Sequence, residues 1–337
     1  MSTTGARIAG VATHLPSRWT SSEEAEQRVV DSSAGFRPPP GIVRRATGIH
    51  GRHVMPDDWQ ASDLAVAAAG KLLADQGLDV GDVDLLLFAS ASQDLVEPAT
   101  SHIVAAALGA RCPVFDVKNA CNSVLNAVQV ADALVRAGQY RRVLVVTGES
   151  PSRATRWAVR DLRQLAESFA GYTLSDAGAA LLVEACPEGD GILAQGHTAE
   201  STAWTAGTLP GGGSRNPRDL DATYFHLDGA RLKDAFESIG PASVTRVLVQ
   251  AGITWDDCDL VAVHQVTLPY VHAFADRCGI PREKLEITVA DHGNCASATL
   301  PLQLERAVQT GRIERGSLVA LVGLAGGISV GTAVLRW

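Results

Sequence analysis

Cys121 is the first residue of this sequence whose type and position indicate chemistry. It follows an apolar, β-prone run (113–117) and precedes a stretch in which Val124 and Val128 recur at helical spacing. The pattern predicts a strand-to-helix elbow with the thiol on the first turn of a buried helix. Unpaired N–H groups and the helix dipole there favour thiolate, the nucleophilic form of cysteine. The alternative is that Cys121 is a small core residue, as lone cysteines in apolar segments commonly are.

Two further residues, His264 and Asn294, lie where they could join this cysteine. His264 follows the apolar run 260–263, and the ends of strands in open α/β sheets point towards the functional crevice. Asn294 follows a glycine just before a helical pattern. Each residue also has an ordinary interpretation: His264 as a structural histidine, and Asn294 as part of a turn and helix cap. Their order and positions, taken together with Cys121, favour one shared site.

Alternating strands and helices are predicted along the chain to position these residues. The predicted strands are 7–12, 83–89, 113–117, 142–147, 179–184, 260–263, 285–289, 317–322 and 332–337. The predicted helices are 61–76, 101–108, 122–136, 240–251, 268–278 and 296–310. A glycine-rich link, 325–331, joins the last two strands. The order indicates an α/β fold.

The two halves of the chain have similar patterns. The run 84–88 (DLLLF) corresponds to 259–263 (DLVAV), and in each half a strand, an elbow, a helix and a strand follow. We therefore predict an internal duplication, with an N-terminal half at 1–185 and a C-terminal half at 186–337. The alternative is that the match is only the rhythm common to α/β proteins.

The spacing also relates the two candidate elbows. Cys121 lies as far before Gly138 as Asn294 lies before Gly311, and both glycines are candidate helix C-caps. We therefore predict that Asn294 occupies the elbow of the second half. Packing of the two halves would bring both elbows together at a shared face.

Two stretches fit the duplication poorly and are predicted to be insertions on the functional face. They are 150–172, which contains Arg153, Arg156 and Trp157, and 196–229, which contains a run of glycines. Loops on a rigid core commonly shape a substrate pocket. A solvated surface excursion is the alternative for the glycine run, and a solvated helix face is the alternative for the arginines.

Composition excludes several classes of function. The net charge is −8, and no block of Lys and Arg stands out, which argues against a nucleic-acid partner. No apolar run reaches the roughly 18–20 residues that span a bilayer, and the first residues lack the apolar segment of a signal peptide. The 6 cysteines have spacings that suit neither a zinc site nor a disulfide framework. We expect a cytoplasmic protein with reduced thiols and no metal.

Six motifs in order carry a resemblance to a known family: 47–49 (TGI), Asp116 with Cys121, 175–180 (SDAGAA), 264–265 (HQ), 292–294 (HGN) and 326–336 (GGISVGTAVLR). The sequence resembles the thiolase-fold condensing enzymes, specifically β-ketoacyl-acyl-carrier-protein synthase III and its secondary-metabolic relatives. The resemblance extends nearly end to end. It implies a duplicated, five-layered αβαβα fold, a homodimer, and an active site formed by Cys121, His264 and Asn294.

The resemblance also implies a reaction. Cys121 takes an acyl group from a thioester, with the backbone N–H groups of Cys121 and Gly326 as the oxyanion hole. A malonyl-type thioester then loses CO₂, and His264 and Asn294 stabilise the enolate that attacks the acyl group. The expected substrates are thioesters of coenzyme A or of an acyl carrier protein, with no further cofactor. The alternative is acyl transfer from Cys121 to a hydroxyl or amine, with His264 as general base. A silent partner is disfavoured because Cys121 is retained.

The sequence departs from the family pattern where the family holds its thioester carrier. Thr267 and Pro269 replace an asparagine and an arginine, Ile42 and Ala46 replace a tryptophan and an arginine, and Ala325 replaces a glycine. We therefore expect a role in polyketide or other specialised metabolism. The candidate substrate- and carrier-binding residues are Arg44, Arg45, Leu95, Val96, Arg153, Arg156, Trp157 and Thr267.

Overall fold

The computed structural model describes residues 4–337. Its strands are β1 Thr4–His14, β2 Trp19–Ser21, β3 Gly51–His53, β4 Leu85–Ala89, β5 Val114–Val117, β6 Arg142–Glu149, β7 Ala177–Pro187, β8 Gly191–Ala199, β9 Gly207–Thr208, β10 His226–Leu227, β11 Leu260–Val263, β12 Leu318–Ala325 and β13 Ser329–Arg336. Its α-helices are α1 Ser22–Ser32, α2 Ile42–Thr47, α3 Ala61–Gln76, α4 Thr100–Leu108, α5 Ser123–Arg136, α6 Leu162–Ser168, α7 Gly229–Ile239, α8 Ala242–Ala251, α9 Leu268–Cys278, α10 Val289–His292 and α11 Thr299–Gln309.

The two main sheets have the same strand order. The first sheet runs β1-β7-β6-β4-β5, and the second runs β8-β13-β12-β11. In the first sheet β6, β4 and β5 pair parallel, and in the second β12 pairs parallel with β11. The remaining neighbours, β1 with β7, β7 with β6, β8 with β13 and β13 with β12, pair antiparallel. A parallel bridge from Val261 to Leu285 stands where β5 stands in the first sheet. The boundary that we predict between residues 185 and 186 falls inside β7, which continues to Pro187.

Successive side chains of the inner strands point to opposite faces of each sheet, so each sheet is covered by helices on both faces and the fold has five layers. Leu85 and Leu87 of β4 point into a central core, which they share with α5, α11 and the inner face of the second sheet. Leu86 and Phe88 point the opposite way, into an outer core under α3. On β11, Val261 and Val263 point into a third core under α8 and α9. Complete burial of each such side chain contributes about 1.5–3 kcal/mol, so the sandwich of helices and sheets is strongly favoured.

Glycines in the first sheet allow α3 to approach its backbone. A Cβ at Gly148 of β6 would overlap the carbonyl oxygen of Ala61, and a Cβ at Gly178 of β7 would overlap that of Leu64. Only glycine fits such a contact of backbone against backbone. The start of α3 is thereby fixed against the strands that lead into the candidate site. Among residues 4–337, none of the helices combines the length and the hydropathy that a bilayer-spanning helix requires.

The structure confirms most of the predicted elements; helices 61–76 and 268–278 have the predicted bounds. The predicted strand 285–289 is wrong. Only Leu285 forms a bridge, and the side chain of Gln265 then satisfies the following backbone: its Nε2 donates to the Glu286 carbonyl, and its Oε1 accepts from the N–H groups of Thr288 and Val289. The Gln265 side chain therefore forms the hydrogen bonds that a neighbouring strand would otherwise have formed with this backbone.

The predicted insertion 196–229 is also partly wrong. Its first residues belong to β8, which pairs with β13 along its whole length. The glycine-rich link is shorter than predicted as well, since β12 continues to Ala325 and β13 begins at Ser329. Gly331 is a strand residue, and a Cβ there would come within 2.8 Å of the His197 ring.

Candidate active site

The elbow that carries Cys121 is a tight turn before α5. Cys121 forms a bridge with Asn119, and Ala120 between them has a φ of 47°, in the left-handed region. The Oγ of Ser123 donates to the carbonyl of Ala120 (2.7 Å), which closes the turn. The predicted elbow is confirmed, but the thiol is not on the first helical turn: Asn122 is the N-cap and Ser123 begins the helix.

The surroundings of the Cys121 thiol favour its protonated form. Burial raises its pKa to about 12, the negative charge of Glu149 acts in the same direction, and a hydrogen bond from the Cys121 N–H opposes both. This environment opposes the thiolate that the elbow is predicted to favour. Donors at the elbow do act on the sulfur, but loss of hydration outweighs them.

A second elbow of the same shape lies before α11. Ala296 has the same left-handed φ of 47° as Ala120. The next residue, Ser297, donates its hydroxyl to the Ala120 carbonyl (2.8 Å), so the two elbows meet as predicted. The residue that corresponds to Cys121 is therefore Ser297, and the prediction that Asn294 holds this position is wrong. The prediction counted back equal distances from the glycines that end the two helices. Because α11 is shorter than α5, that count reached Asn294, three residues before the true equivalent of Cys121.

Asn294 lies three residues before Ser297 and is almost fully buried. Its N–H donates to the Thr173 carbonyl (2.9 Å), and its own carbonyl accepts from the Ser175 N–H (2.9 Å). The side-chain Oδ1 accepts from the Ala296 N–H (2.9 Å). This contact fixes the orientation of the amide and leaves the Nδ2 hydrogens directed away from the turn, available as donors.

His264 lies at the end of β11, with 1% of its surface exposed. Its backbone N–H donates to the carbonyl of Val322 on β12 (2.7 Å), which holds the end of β11 against β12 next to Gly323. Its Nδ1 has no hydrogen-bond partner among the residues that the structure describes. Burial lowers the pKa of His264 to about 4, so the ring is neutral at neutral pH. A neutral imidazole offers one N–H donor without introducing a charge.

The Cys121 elbow packs against the same part of β12 and β13. A Cβ at Gly323 would overlap the Oδ1 of Asn122, so only glycine allows the elbow to approach. The Nδ2 of Asn122 donates to the carbonyl (3.1 Å) and hydroxyl (2.9 Å) of Ser329. Gly326 lies in the short link between these strands. Cys121, the His264 strand and the predicted oxyanion loop are thus joined through direct neighbours.

Sequence reasoning missed one charged group of this region, Glu149 at the end of β6. Its buried carboxylate accepts from the N–H groups of Ala91 (3.0 Å) and Ser297 (3.3 Å) and from the Ser92 hydroxyl (3.1 Å). Burial raises the pKa of Glu149. The sequence feature that could have identified Glu149 is its position as an acidic residue at the end of an apolar strand. The carboxylate connects both elbows to the segment after β4 and opposes ionisation of Cys121.

The candidate binding residues lie mainly on the surface. Arg44 and Arg45 are exposed on α2; Arg44 lies 3.7 Å from Glu23, and Arg45 donates to the Pro40 carbonyl. Leu95 and Val96 are 51% and 71% exposed in the segment between β4 and α4. Two large apolar side chains in contact with solvent are suited to a contact surface.

The remaining candidates have local partners. Arg156 pairs with Asp221 (3.4 Å), Arg153 donates to backbone carbonyls at 56–59, and two arginines stack on Trp157. Thr267 is the N-cap of α9, since its hydroxyl accepts from the Tyr270 N–H. Within the described residues, no three His, Cys, Asp or Glu side chains come together in a way that could hold a metal ion.

Comparison with known proteins connects this geometry to a family. Residues 115–200 match the profile of 3-oxoacyl-[acyl-carrier-protein] synthase III, and residues 248–337 match the profile of its C-terminal part. A β-ketoacyl-[acyl-carrier-protein] synthase III of Rhodobacter capsulatus is 32% identical over 98% of both chains. The chain belongs to the 3-oxoacyl-[acyl-carrier-protein] synthase III family. Members of this family are condensing enzymes, and the resemblance to the synthase III family inferred from the six motifs is confirmed.

Solved structures of synthase III relatives confirm the fold. The synthase III of Thermus thermophilus superposes with a TM-score of 0.85 at 26% identity, covering 98% of this chain and 99% of that one. Xanthomonas campestris OleA, solved with bound lauric acid and lauroyl-CoA, superposes with a TM-score of 0.84 at 25% identity over 99% of both chains. The duplicated sheets and five layers are therefore those of the thiolase fold.

Proposed function

We propose that this synthase III relative loads an acyl group on Cys121 and condenses it with a malonyl-type thioester after decarboxylation. The observation that carries the proposal is the contact between the two elbows, through Ser297 and Ala120. It brings the segment that holds Asn294 to the nucleophile's turn, and β12 connects this turn to His264.

The first step is acylation of Cys121. The sulfur attacks the thioester carbonyl, and its proton passes to the departing carrier sulfur, which leaves as a free thiol. The N–H groups of Cys121 and Gly326 are the proposed donors to the oxyanion. Burial and the charge of Glu149 disfavour a free thiolate but not a neutral acyl thioester. The environment of Cys121 therefore favours the neutral acyl thioester over the free thiolate.

The second step is decarboxylation of the extender. When the malonyl C–C bond breaks, CO₂ leaves and the electron pair passes to an enolate, whose oxygen needs donors. The Nδ2–H of Asn294 and one N–H of neutral His264 are the proposed donors. The enolate carbon then attacks the acyl carbonyl, and the sulfur of Cys121 leaves. Loss of one such donor costs about 2.7–4 kcal/mol of transition-state stabilisation.

The alternative is transfer of the acyl group to a hydroxyl or amine. That reaction requires His264 to act as general base towards the acceptor. An imidazole with a pKa of about 4 is a weak base at neutral pH, and efficient general bases have pKa values near the working pH. The environment of His264 therefore favours condensation.

The proposal extends to substrates and partners. Thioesters of coenzyme A or of an acyl carrier protein would serve as donors and no further cofactor is needed; the lauroyl-CoA bound to OleA supports a CoA thioester. Arg44, Arg45 and Thr267 are proposed for the carrier side. The exposed Leu95 and Val96 are proposed for the face between the subunits of a homodimer. The altered carrier-binding positions favour polyketide or other specialised metabolism.

A decarboxylation assay tests the proposal. Enzyme loaded with an acyl group receives malonyl thioester labelled with ¹³C in its carboxylate, and labelled CO₂ and the β-ketoacyl product are measured. We expect both products, with rates at least about 100-fold lower in Asn294→Ala, as for loss of one oxyanion donor. Asn216→Ala changes an amide of a surface turn and is the matched control. An ester or amide of an added acceptor, formed without labelled CO₂, would establish acyl transfer instead.

A further inference from the structure

Four arginines line one cavity outside the proposed reaction site. The cavity has a volume of about 290 Å³ and lies between α1, the end of β3 with the residues that follow it, and the segment after β6. Its lining consists of Arg18, Arg28, Arg52, Val54, Met55, Asp57, Ser152, Arg153 and Trp157. Four guanidinium groups face one carboxylate, so the lining has a strong positive excess.

Arg52 forms the buried floor of this cavity, with 2% of its surface exposed. Its Nη1 donates to the carbonyls of Gly171 (2.9 Å) and Leu174 (3.1 Å), and its Nε has no partner. The charge of Asp176 acts favourably on Arg52, but that carboxylate already accepts the N–H and hydroxyl of Ser152. Burial lowers the pKa of Arg52 to about 10. A buried cation with an unused donor is costly unless an anion completes its hydrogen bonds.

The walls hold the guanidinium groups of Arg28 and Arg153 in place without neutralising them. The Cζ of Arg28 lies 4.2 Å from the centre of the Trp157 ring, and the Cζ of Arg52 lies 5.1 Å from it. Arg153 donates to the carbonyl of Asp57 (2.7 Å). Cation–π contacts and bonds to carbonyls orient a guanidinium but leave its charge uncompensated.

The charge of the group remains unbalanced within the protein. Across residues 4–337, no ion pair within 4 Å involves Arg18, Arg28, Arg52 or Arg153, although many other arginines form one. Like charges around a shared space repel, so an anion that entered would relieve repulsion as well as gain hydrogen bonds. Guanidinium forks match the oxygens of phosphate, which can accept from several of them at once.

We propose that this cavity is a binding site for a phosphate group carried by a small molecule. The volume exceeds that of a bare anion and approaches the lower end of small-molecule sites, roughly 300 Å³. The unpartnered Nε of Arg52 is the inner donor, while Arg18, Arg28 and Arg153 surround the opening. Binding here is independent of acyl transfer at Cys121.

The cavity nevertheless lies directly behind the reaction site. A Cβ at Gly293 would stand 3.2 Å from the Cβ of Arg52, and Gly293 precedes Asn294. The segment that contains Leu174 accepts from Arg52 and also forms a bridge with Asn294. An occupied cavity would therefore stiffen the backbone that orients the proposed enolate donor.

Titration calorimetry on the full chain with Cys121→Ala tests the site and removes any contribution from turnover. The probes are inorganic phosphate and adenosine 3′,5′-bisphosphate, each at low ionic strength, since salt screens exposed charges. We expect saturable binding. Arg28→Gln and Arg18→Gln, both at exposed positions, should each weaken it about tenfold, the effect of losing one charge-assisted hydrogen bond. Arg111→Gln, an exposed arginine elsewhere, should leave the dissociation constant unchanged.

The two probes distinguish the source of the phosphate. Tighter binding of the nucleotide indicates a nucleotide-borne group, and equal binding indicates the free anion; both support the site. Circular dichroism and thermal unfolding establish that each variant is folded. The proposal is overturned if neither probe binds, or if the Arg18→Gln, Arg28→Gln double variant is folded and binds them as tightly as the parent. Because Cys121 is absent from this protein, the outcome does not depend on whether the proposed condensation occurs.

Discussion

Acidification tests the environment of His264 most quantitatively. The pKa of this imidazole is about 4 in the folded protein, against 6.5 for an ordinary histidine. The unfolded chain therefore binds a proton that the folded protein does not bind between these two values. Stability contributed by the neutral ring is present above pH 6.5 and is lost as the pH falls towards 4.

The size of the effect follows from the two pKa values. Because of His264 alone, the free energy of unfolding is lower by about 1.4 kcal/mol at pH 5.5 than at pH 7.5. Well below pH 4 this loss of stability reaches its maximum of about 3.4 kcal/mol. His14, His53, His197 and His292 also have lowered pKa values, so they act in the same direction. A variant that lacks only His264 retains their contributions.

Urea unfolding of the wild type and of His264→Gln at pH 7.5 and 5.5 isolates the contribution of His264. We expect the free energy of unfolding of the wild type to fall by about 1.4 kcal/mol more than that of the variant, because the four other histidines cancel in the comparison. A second readout is decarboxylation of malonyl thioester, which should continue at pH 5.5, where about 97% of His264 is still neutral.

Equal losses of stability in both proteins would refute the buried, neutral imidazole. So would a decarboxylation rate that falls about tenfold between pH 7.5 and 5.5 through the protonation of His264, since that is the behaviour of a histidine with an ordinary pKa. Either result would remove the argument that His264 is a neutral donor and a weak base.

Further substitutions test the packing around the site. Gly148→Ala should destabilise by more than about 4 kcal/mol in thermal or urea unfolding, because its Cβ overlaps the Ala61 carbonyl of α3. Gly70→Ala, at an exposed position of α3 with nothing near the added Cβ, should stabilise by about 0.5–1 kcal/mol, and equal effects of the two substitutions would contradict the close approach. Ser297→Ala should cost about 0.5–1.5 kcal/mol of stability and slow acylation by an acyl thioester, because the Ala120 carbonyl keeps its bonds from Ser123 but loses the one that connects the two elbows. Unchanged acylation would show that the elbows need no such link.

The fold was largely predictable because its helices and strands are strongly patterned. Helix α3 has its predicted bounds, since the apolar period stops at Gly77, which is left-handed and ends the helix. The strand predicted at 285–289 failed because Gln265, distant in sequence, supplies the hydrogen bonds that a strand would have formed. No local pattern contains that information.

The candidate site also combines features that follow from local sequence with features that depend on tertiary packing. The elbow at Cys121 follows from a strand giving way to a helix, which is a local property. The protonation of its thiol depends on burial and on Glu149, and both come from tertiary packing. Ser297 was missed because its role depends on a contact with Ala120 in the other half of the chain. Spacing to the helix ends indicated Asn294 instead.

The most direct measurement is the intact mass of the protein after incubation with acyl thioesters, beginning with lauroyl-CoA. The account predicts one acyl group per chain, located on Cys121 by peptide mapping, absent from Cys121→Ala and retained by Cys112→Ala, which removes the other partly exposed thiol. No adduct from any CoA or carrier-protein thioester, or an adduct that persists in Cys121→Ala, would contradict the claim that Cys121 is the nucleophile.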